Sequence, residues 1–202
     1  MYREEHAKLR ELGRSGPDGF NRIATFVLCT IRMPFYTAVA DYKLVRDGHP
    51  ARSIFGVKHK GLAFLRDHDA ETHVELEYLF ETCASEDAML RVVTRIPGIG
   101  LAKGGFILQM IYGVSGCIDT HNLQRFGLDD QTFQAKGNWK RLHALVPAYN
   151  EFCRKVGGTA RLWDDWCAYV SDRDSINYPS AEYVGFTSRH WSAEPCINFP
   201  LP

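Results

Sequence analysis

The 202-residue chain lacks a charge excess of either sign, with 24 Lys and Arg against 24 Asp and Glu. That balance excludes a histone-like polycation and an acidic disordered tail. No stretch approaches the roughly 18 to 20 uninterrupted apolar residues of a membrane span, so no membrane partner is expected. The six cysteines, at 29, 83, 117, 153, 167 and 196, include no C-x-x-C pair and no tight cluster. Zinc and iron–sulfur sites need such spacing, so neither is expected, and the cysteines read as buried thiols. The opening Met1-Tyr2-Arg3-Glu4-Glu5-His6 lacks the apolar core of a secretory signal, which gives an intracellular expectation, in cytoplasm or nucleoid. Internal repeats, low-complexity tracts and the alternating pattern of a strand ladder are also missing.

What the chain does have is core-forming material, 45% hydrophobic and 12% aromatic, enough for one full domain or two small lobes. The neutral total conceals charge blocks: residues 1–66 carry a net +6, 67–92 a net −7, 93–160 a net +4 and 161–202 a net −3. If the basic blocks share a surface, that face suits a polyanion; the alternative is a mixed solvated surface.

Turn signals divide the chain into helical segments. Ile23, Phe26, Val27 and Ile31 recur at helical spacing between Pro17 and Pro34, and Phe35, Val39, Tyr42 and Val45 continue the pattern up to Asp47-Gly48-His49-Pro50. Two further segments are expected at Val57–Arg66 and Ala70–Cys83. Ser85 before Glu86 and Asp87 is an N-cap signal for a helix through Met89, Leu90 and Val93. Helices are also expected over Trp139–Val156 and Ala160–Val170, divided at Gly157-Gly158, and an irregular tail over 172–202. The class is all-α.

The chemistry concentrates in Val92–Phe126. Ile96-Pro97-Gly98-Ile99-Gly100 lies between two helical patterns, and two glycines flanking one aliphatic residue suit a tight turn with exposed N–H groups. The helix expected over Leu101–Tyr112 directs its positive end at that turn and carries Lys103 in its first turn, so a phosphate would meet amide donors and a cation together. Gly104 and Gly105 are small enough to let the two hairpin helices approach closely.

This stretch resembles the helix-hairpin-helix DNA glycosylases, whose signature is an L-P-G-V-G hairpin, a small residue four positions after its second glycine, and a V-D-T-H segment ending in Arg. Here the match is Ile96-Pro97-Gly98-Ile99-Gly100, Gly104, and Ile118-Asp119-Thr120-His121 with Arg125, about 35 of 202 residues. Gly56-Val57-Lys58-His59-Lys60 faintly resembles the family's G-x-x-x-K-A segment. The resemblance implies a single unit of two helical lobes, residues 1–202, with the hairpin and aspartate motif at 92–126. It implies a monomer that binds DNA, acts on a base and has Asp119 as its catalytic carboxylate. It leaves room for an alkali-metal ion at the hairpin. DNA contacts are expected from Pro97, Gly98, Ile99, Gly100 and Lys103, and from Lys58, Lys60, His121 and Arg125.

The chain departs from the family in three ways. The Schiff-base lysine of strand-cleaving members falls on Ala102, and Lys103, one residue on, is rotated by about 100°. The four-cysteine iron–sulfur loop is missing. The strand-intercalating segment has only a positional candidate, Arg32–Thr37. The favoured expectation is therefore monofunctional N-glycosidic hydrolysis. The alternatives are modification of hypermodified pyrimidines, as is thought of some virus-encoded relatives, and a non-catalytic DNA-binding module.

Several residues admit a structural role beside the functional one. Asp119 stabilises a sugar cation or activates a water, or it caps a helix starting at Thr120 or His121. His121 contacts phosphate or packs internally. Tyr112, Trp139, Trp163 and Trp166 stack on a base or belong to the core. Lys58, His59 and Lys60 form a phosphate patch or a solvated face.

Overall fold

A computed structural model of the chain describes residues 2–51 and 53–174. Among them are nine helices and no strand: α1 (Tyr2–Arg14), α2 (Pro17–Cys29), α3 (Phe35–Arg46), α4 (Val57–Glu81), α5 (Glu86–Val93), α6 (Leu101–Tyr112), α7 (Thr120–Arg125), α8 (Trp139–Lys155) and α9 (Gly158–Asp174). The all-α expectation holds for these residues. No helix among them is long and apolar enough to cross a membrane. Residues 172–174, expected in the irregular tail, instead continue α9 to Asp174; from residue 175 onward, the rest of the expected tail and Cys196 lie outside the described residues.

Two helices are apolar on nearly every side and therefore take the centre. Phe20, Ile23, Phe26, Val27, Leu28 and Cys29 of α2 are fully buried, as are Phe106, Ile107, Leu108, Met110 and Ile111 of α6. The other helices cover them with narrower stripes. The first, α1, packs on both central helices through Leu9 and Leu12, and its His6 Nε2 meets the Gln109 carbonyl at 2.5 Å while the ring stacks on Trp163.

The Val57–Glu81 stretch is one continuous helix of 25 residues, where the sequence suggested two segments. The polar run Asp67-His68-Asp69 is an exposed face and not a break, because no Pro or Gly interrupts it. Leu65, Thr72, His73 and Leu76 continue the buried stripe past it, and Asn21 Nδ2 of α2 donates to Asp69 at 2.8 Å. Gly61 on the same helix sets its closest approach to the hairpin, since a Cβ there would stand 2.5 Å from the Pro97 carbonyl oxygen.

The expectation of buried thiols holds for Cys29, Cys117, Cys153 and Cys167 and fails for Cys83. Cys83 follows the end of α4 with φ +53, at a helix exit where the chain turns into solvent. Burial raises the pKa of Cys29 and Cys153 to about 12, which makes them poor nucleophiles.

Candidate active site

The hairpin is built from its two ends inward. Helix α5 begins where the Ser85 hydroxyl accepts from the Ala88 amide at 3.3 Å, and it ends one residue before Thr94. Ile96 and Ile99 then plunge into the core, and the Ile99 amide closes the turn on the Ile96 carbonyl at 3.0 Å. Gly98, between them, has φ +90, a conformation that L side chains rarely adopt.

Gly100 behaves differently from the sequence expectation that both glycines need their backbone freedom. Its φ of −95° and ψ of −170° are open to any residue, and a Cβ there would meet nothing within 4 Å. What Gly100 contributes is bareness. It is the N-cap of α6 and offers no side chain to the first amides of that helix, which leaves them available to an anion.

Of the two adjacent glycines of α6, both expected to serve the approach of the hairpin helices, only Gly104 does so. A Cβ on Gly104 would lie 2.9 Å from Leu90, so this residue sets the approach of the two hairpin helices. On Gly105 it would lie 2.2 Å from the Gly116 carbonyl oxygen, so Gly105 admits the segment that leads to Asp119.

That segment is held by side chains from α6, α7 and α8. Gln109 accepts from the Cys117 amide at 3.1 Å and donates to the Thr159 carbonyl at 2.9 Å. The Tyr149 hydroxyl donates to the Gly116 carbonyl at 2.6 Å and accepts from the Ile118 amide at 2.9 Å. Asn122 Nδ2 donates to the Cys117 carbonyl at 2.8 Å. Gln109 and Tyr149 are fully buried and Asn122 nearly so. Burial pushes the Tyr149 hydroxyl well above its ordinary pKa of 10, so it stays a donor.

Asp119 follows directly, partly exposed, at the N-cap of α7. Its Oδ1 accepts from the Asn122 amide at 3.1 Å, the helix-cap geometry that the sequence held as the alternative to a catalytic role. A cap uses one carboxylate oxygen and does not preclude chemistry at the other. Lys103 and Asp119 both act on the buried Cys117 thiol. Burial chiefly raises its pKa, Asp119 raises it further, and Lys103 opposes them.

Pro97, Gly98, Ile99, Gly100 and Lys103 line one wall of a cleft of about 570 Å³. The other wall is formed by residues 133–139 and Leu142, which the sequence reading did not associate with the hairpin. His121 and Arg125 lie on α7, and their side chains are outside the described residues. Tyr112, Trp163 and Trp166 belong to the core, whereas Trp139 is 46% exposed at the cleft. Arg32, at the start of the positional candidate for strand insertion, sits exposed with φ +55 in the turn after α2.

Lys58 corrects the expected surface patch. It is only 5% exposed, and its Nζ donates inward to the Cys29 carbonyl at 3.3 Å. The end of α2 leaves that carbonyl without a helical partner, and the Lys58 amine supplies one. Burial, reinforced by the like charge of Lys103, lowers the Lys58 pKa below its ordinary 10.5, against the pull of Cys29 and Asp41. His59 and Lys60 remain exposed. Beside Lys58, the buried Asp41 accepts from the Ser53 hydroxyl. No local pattern signals this cluster, because its members come from α2, α3, α4 and the loop before α4.

No group of three or more His, Cys, Asp or Glu side chains suited to a metal ion occurs among the described residues. Compared with known protein families, curated proteins and solved structures, the chain matches none.

Proposed function

We propose that this protein binds DNA through the Ile96–Gly100 hairpin and hydrolyses an N-glycosidic bond with Asp119, within a two-lobed fold of the helix-hairpin-helix glycosylase kind. The observation that carries the reading is the fixed coupling of two parts. Helix α6 presents the bare hairpin amides at one end, and on its flank Gly105 and Gln109 hold the segment ending in Asp119. A phosphate anchored at the first would bring a neighbouring sugar toward the second.

In this reading the bond from C1′ to the base nitrogen lengthens, and positive charge grows on the sugar. The Asp119 carboxylate stabilises that charge and accepts a proton from the water whose oxygen bonds to C1′. The bonding pair of the broken bond leaves with the base nitrogen, which takes up a proton. Ala102 supplies no amine at the family's Schiff-base position, so the products are a free base and an abasic site on an intact strand.

The test is Asp119→Asn. The amide retains an oxygen for the Asn122 N–H and loses the charge. Turnover should fall by about two to three orders of magnitude, with DNA affinity level or increased. A folded variant with parental turnover would refute the assignment.

A further inference from the structure

We propose that the cleft between the hairpin and the start of α8 takes an unpaired nucleotide of a DNA strand, with its phosphate toward Lys103 and Lys136 and its base on Trp139. The proposal rests on the hairpin reading and adds a base-binding surface to it.

The first support is the charge of the cleft. Among the described residues that line it are Arg95, Lys103 and Lys136, and no carboxylate. The chain as a whole carries equal numbers of acids and bases, so this segregation favours an anion. Arg95 is already engaged by Glu75, at 2.6 and 2.9 Å, and the Lys103 amine lies 5.8 Å from the centre of the Phe106 ring, which leaves Lys136 as the exposed cation of the lining and Lys103 as a partly buried one beside the hairpin amides.

The second support is Trp139. Of the tryptophans in the described residues, Trp163 is fully buried and Trp166 is 8% exposed, so both serve the core. Trp139 is 46% exposed and opens α8. Its backbone is fixed, because the preceding Asn138 caps the helix by accepting from the Arg141 amide at 3.0 Å. Its ring leans on His143, one turn later, at a centroid separation of 4.2 Å. A large aromatic held in place with nearly half of its surface in water offers a flat face on which any base can stack.

The third support is size and reach. A volume of about 570 Å³ falls within the roughly 300–1,000 Å³ of pockets that hold small organic ligands. Lys103 borders this space beside the hairpin, and Lys136 and Trp139 border it from the segment that leads into α8, so cations and a stacking surface share one space of the size a single nucleotide requires. A paired base keeps its faces covered by its neighbours in the stack, so the site selects unpaired nucleotides. These come from single strands or from extrahelical positions in a duplex.

The test uses intrinsic fluorescence and affinity with three probes: a short oligothymidylate, a matched duplex, and the same duplex with one bulged thymidine. The parent should be quenched by the oligothymidylate and by the bulged duplex, with little change on the matched duplex. If only one of the two quenches, the source is a single strand or an extrahelical base accordingly. Trp139→Phe should abolish the quenching and keep affinity within about 3-fold, while Trp139→Ala should weaken both unpaired probes about 10-fold or more. Matched-duplex affinity should not change in either variant. Because just over half of the Trp139 side chain is covered, Trp139→Phe should melt close to the parent and Trp139→Ala modestly below it, so the affinities are compared at a temperature where all three proteins are folded. Trp139→Ala binding all three probes as the parent does would overturn the proposal and leave the hairpin reading intact. If Gly98→Ala left duplex binding unchanged while Trp139-dependent quenching persisted, the hairpin reading would fail and the cleft would stand.

Discussion

Removing one hydroxyl, in Tyr149→Phe, tests how Asp119 is held. The Tyr149 side chain is fully buried and its oxygen serves two backbone groups, donating to the Gly116 carbonyl at 2.6 Å and accepting from the Ile118 amide at 2.9 Å. Both groups are buried. Phenylalanine fills nearly the same space, so the packing loss is small and the cost is that of two orphaned polar groups. At about 1–3 kcal/mol for each, partly relieved by local adjustment, the loss comes to about 2–4 kcal/mol. For a chain of this size that lowers the melting temperature by about 5–15 °C. Circular dichroism during heating measures the shift, and hydrogen exchange at the Ile118 amide should accelerate in step with it. Because the same bonds hold the segment ahead of Asp119, turnover should drop by more than the unfolded fraction explains. A Tyr149→Phe protein with parental melting temperature and a protected Ile118 amide would refute the reasoning.

The remaining expectations concern backbone, nucleophile and pH. Gly98→Ala must place a side chain at φ +90 beside Val57, so it should cost about 1–2 kcal/mol and weaken DNA binding, whereas Gly100→Ala should leave stability near the parent. Equal melting temperatures for the two would contradict the turn geometry. Borohydride trapping during turnover should yield no covalent adduct, and Lys103→Ala should reduce the salt slope of DNA binding by about one; an adduct lost in Lys103→Ala would show that lysine to be a nucleophile. His6 has its pKa lowered from 6.5 chiefly by burial, so the unfolded chain binds protons more readily. Its contribution to stability is present above pH 6.5 and lost as pH falls below that value. His6→Phe, followed by melting across that range, should show a shallower acid decline.

The parts of the site that depend on neighbours in sequence were legible in it. Ser85 and Asp119 both cap helices, as short polar side chains before a helical pattern do. Helix α6 runs over Leu101–Tyr112 as its dense apolar run implies. The unread parts depend on distant partners. Helix α1 has few apolar residues, and its burial requires α2 and α6 to be in place. Lys58 looked like a surface cation because its acceptor, the Cys29 carbonyl, lies 29 positions away. Gly98 and Gly100 were both expected to need their backbone freedom, and only the backbone shows that Gly100 does not. Gln109 was the one local clue to the Asp119 support, an amide set in an otherwise apolar helix, where a buried polar group must find partners.

The most direct test of the central claim is mass spectrometry of DNA duplexes carrying different modified bases, incubated with the parent and with Asp119→Asn. The account predicts a released free base and an abasic site on an intact strand for at least one duplex with the parent, and neither with the variant. A changed base mass on an otherwise intact duplex, or product formation undiminished in Asp119→Asn, would contradict it.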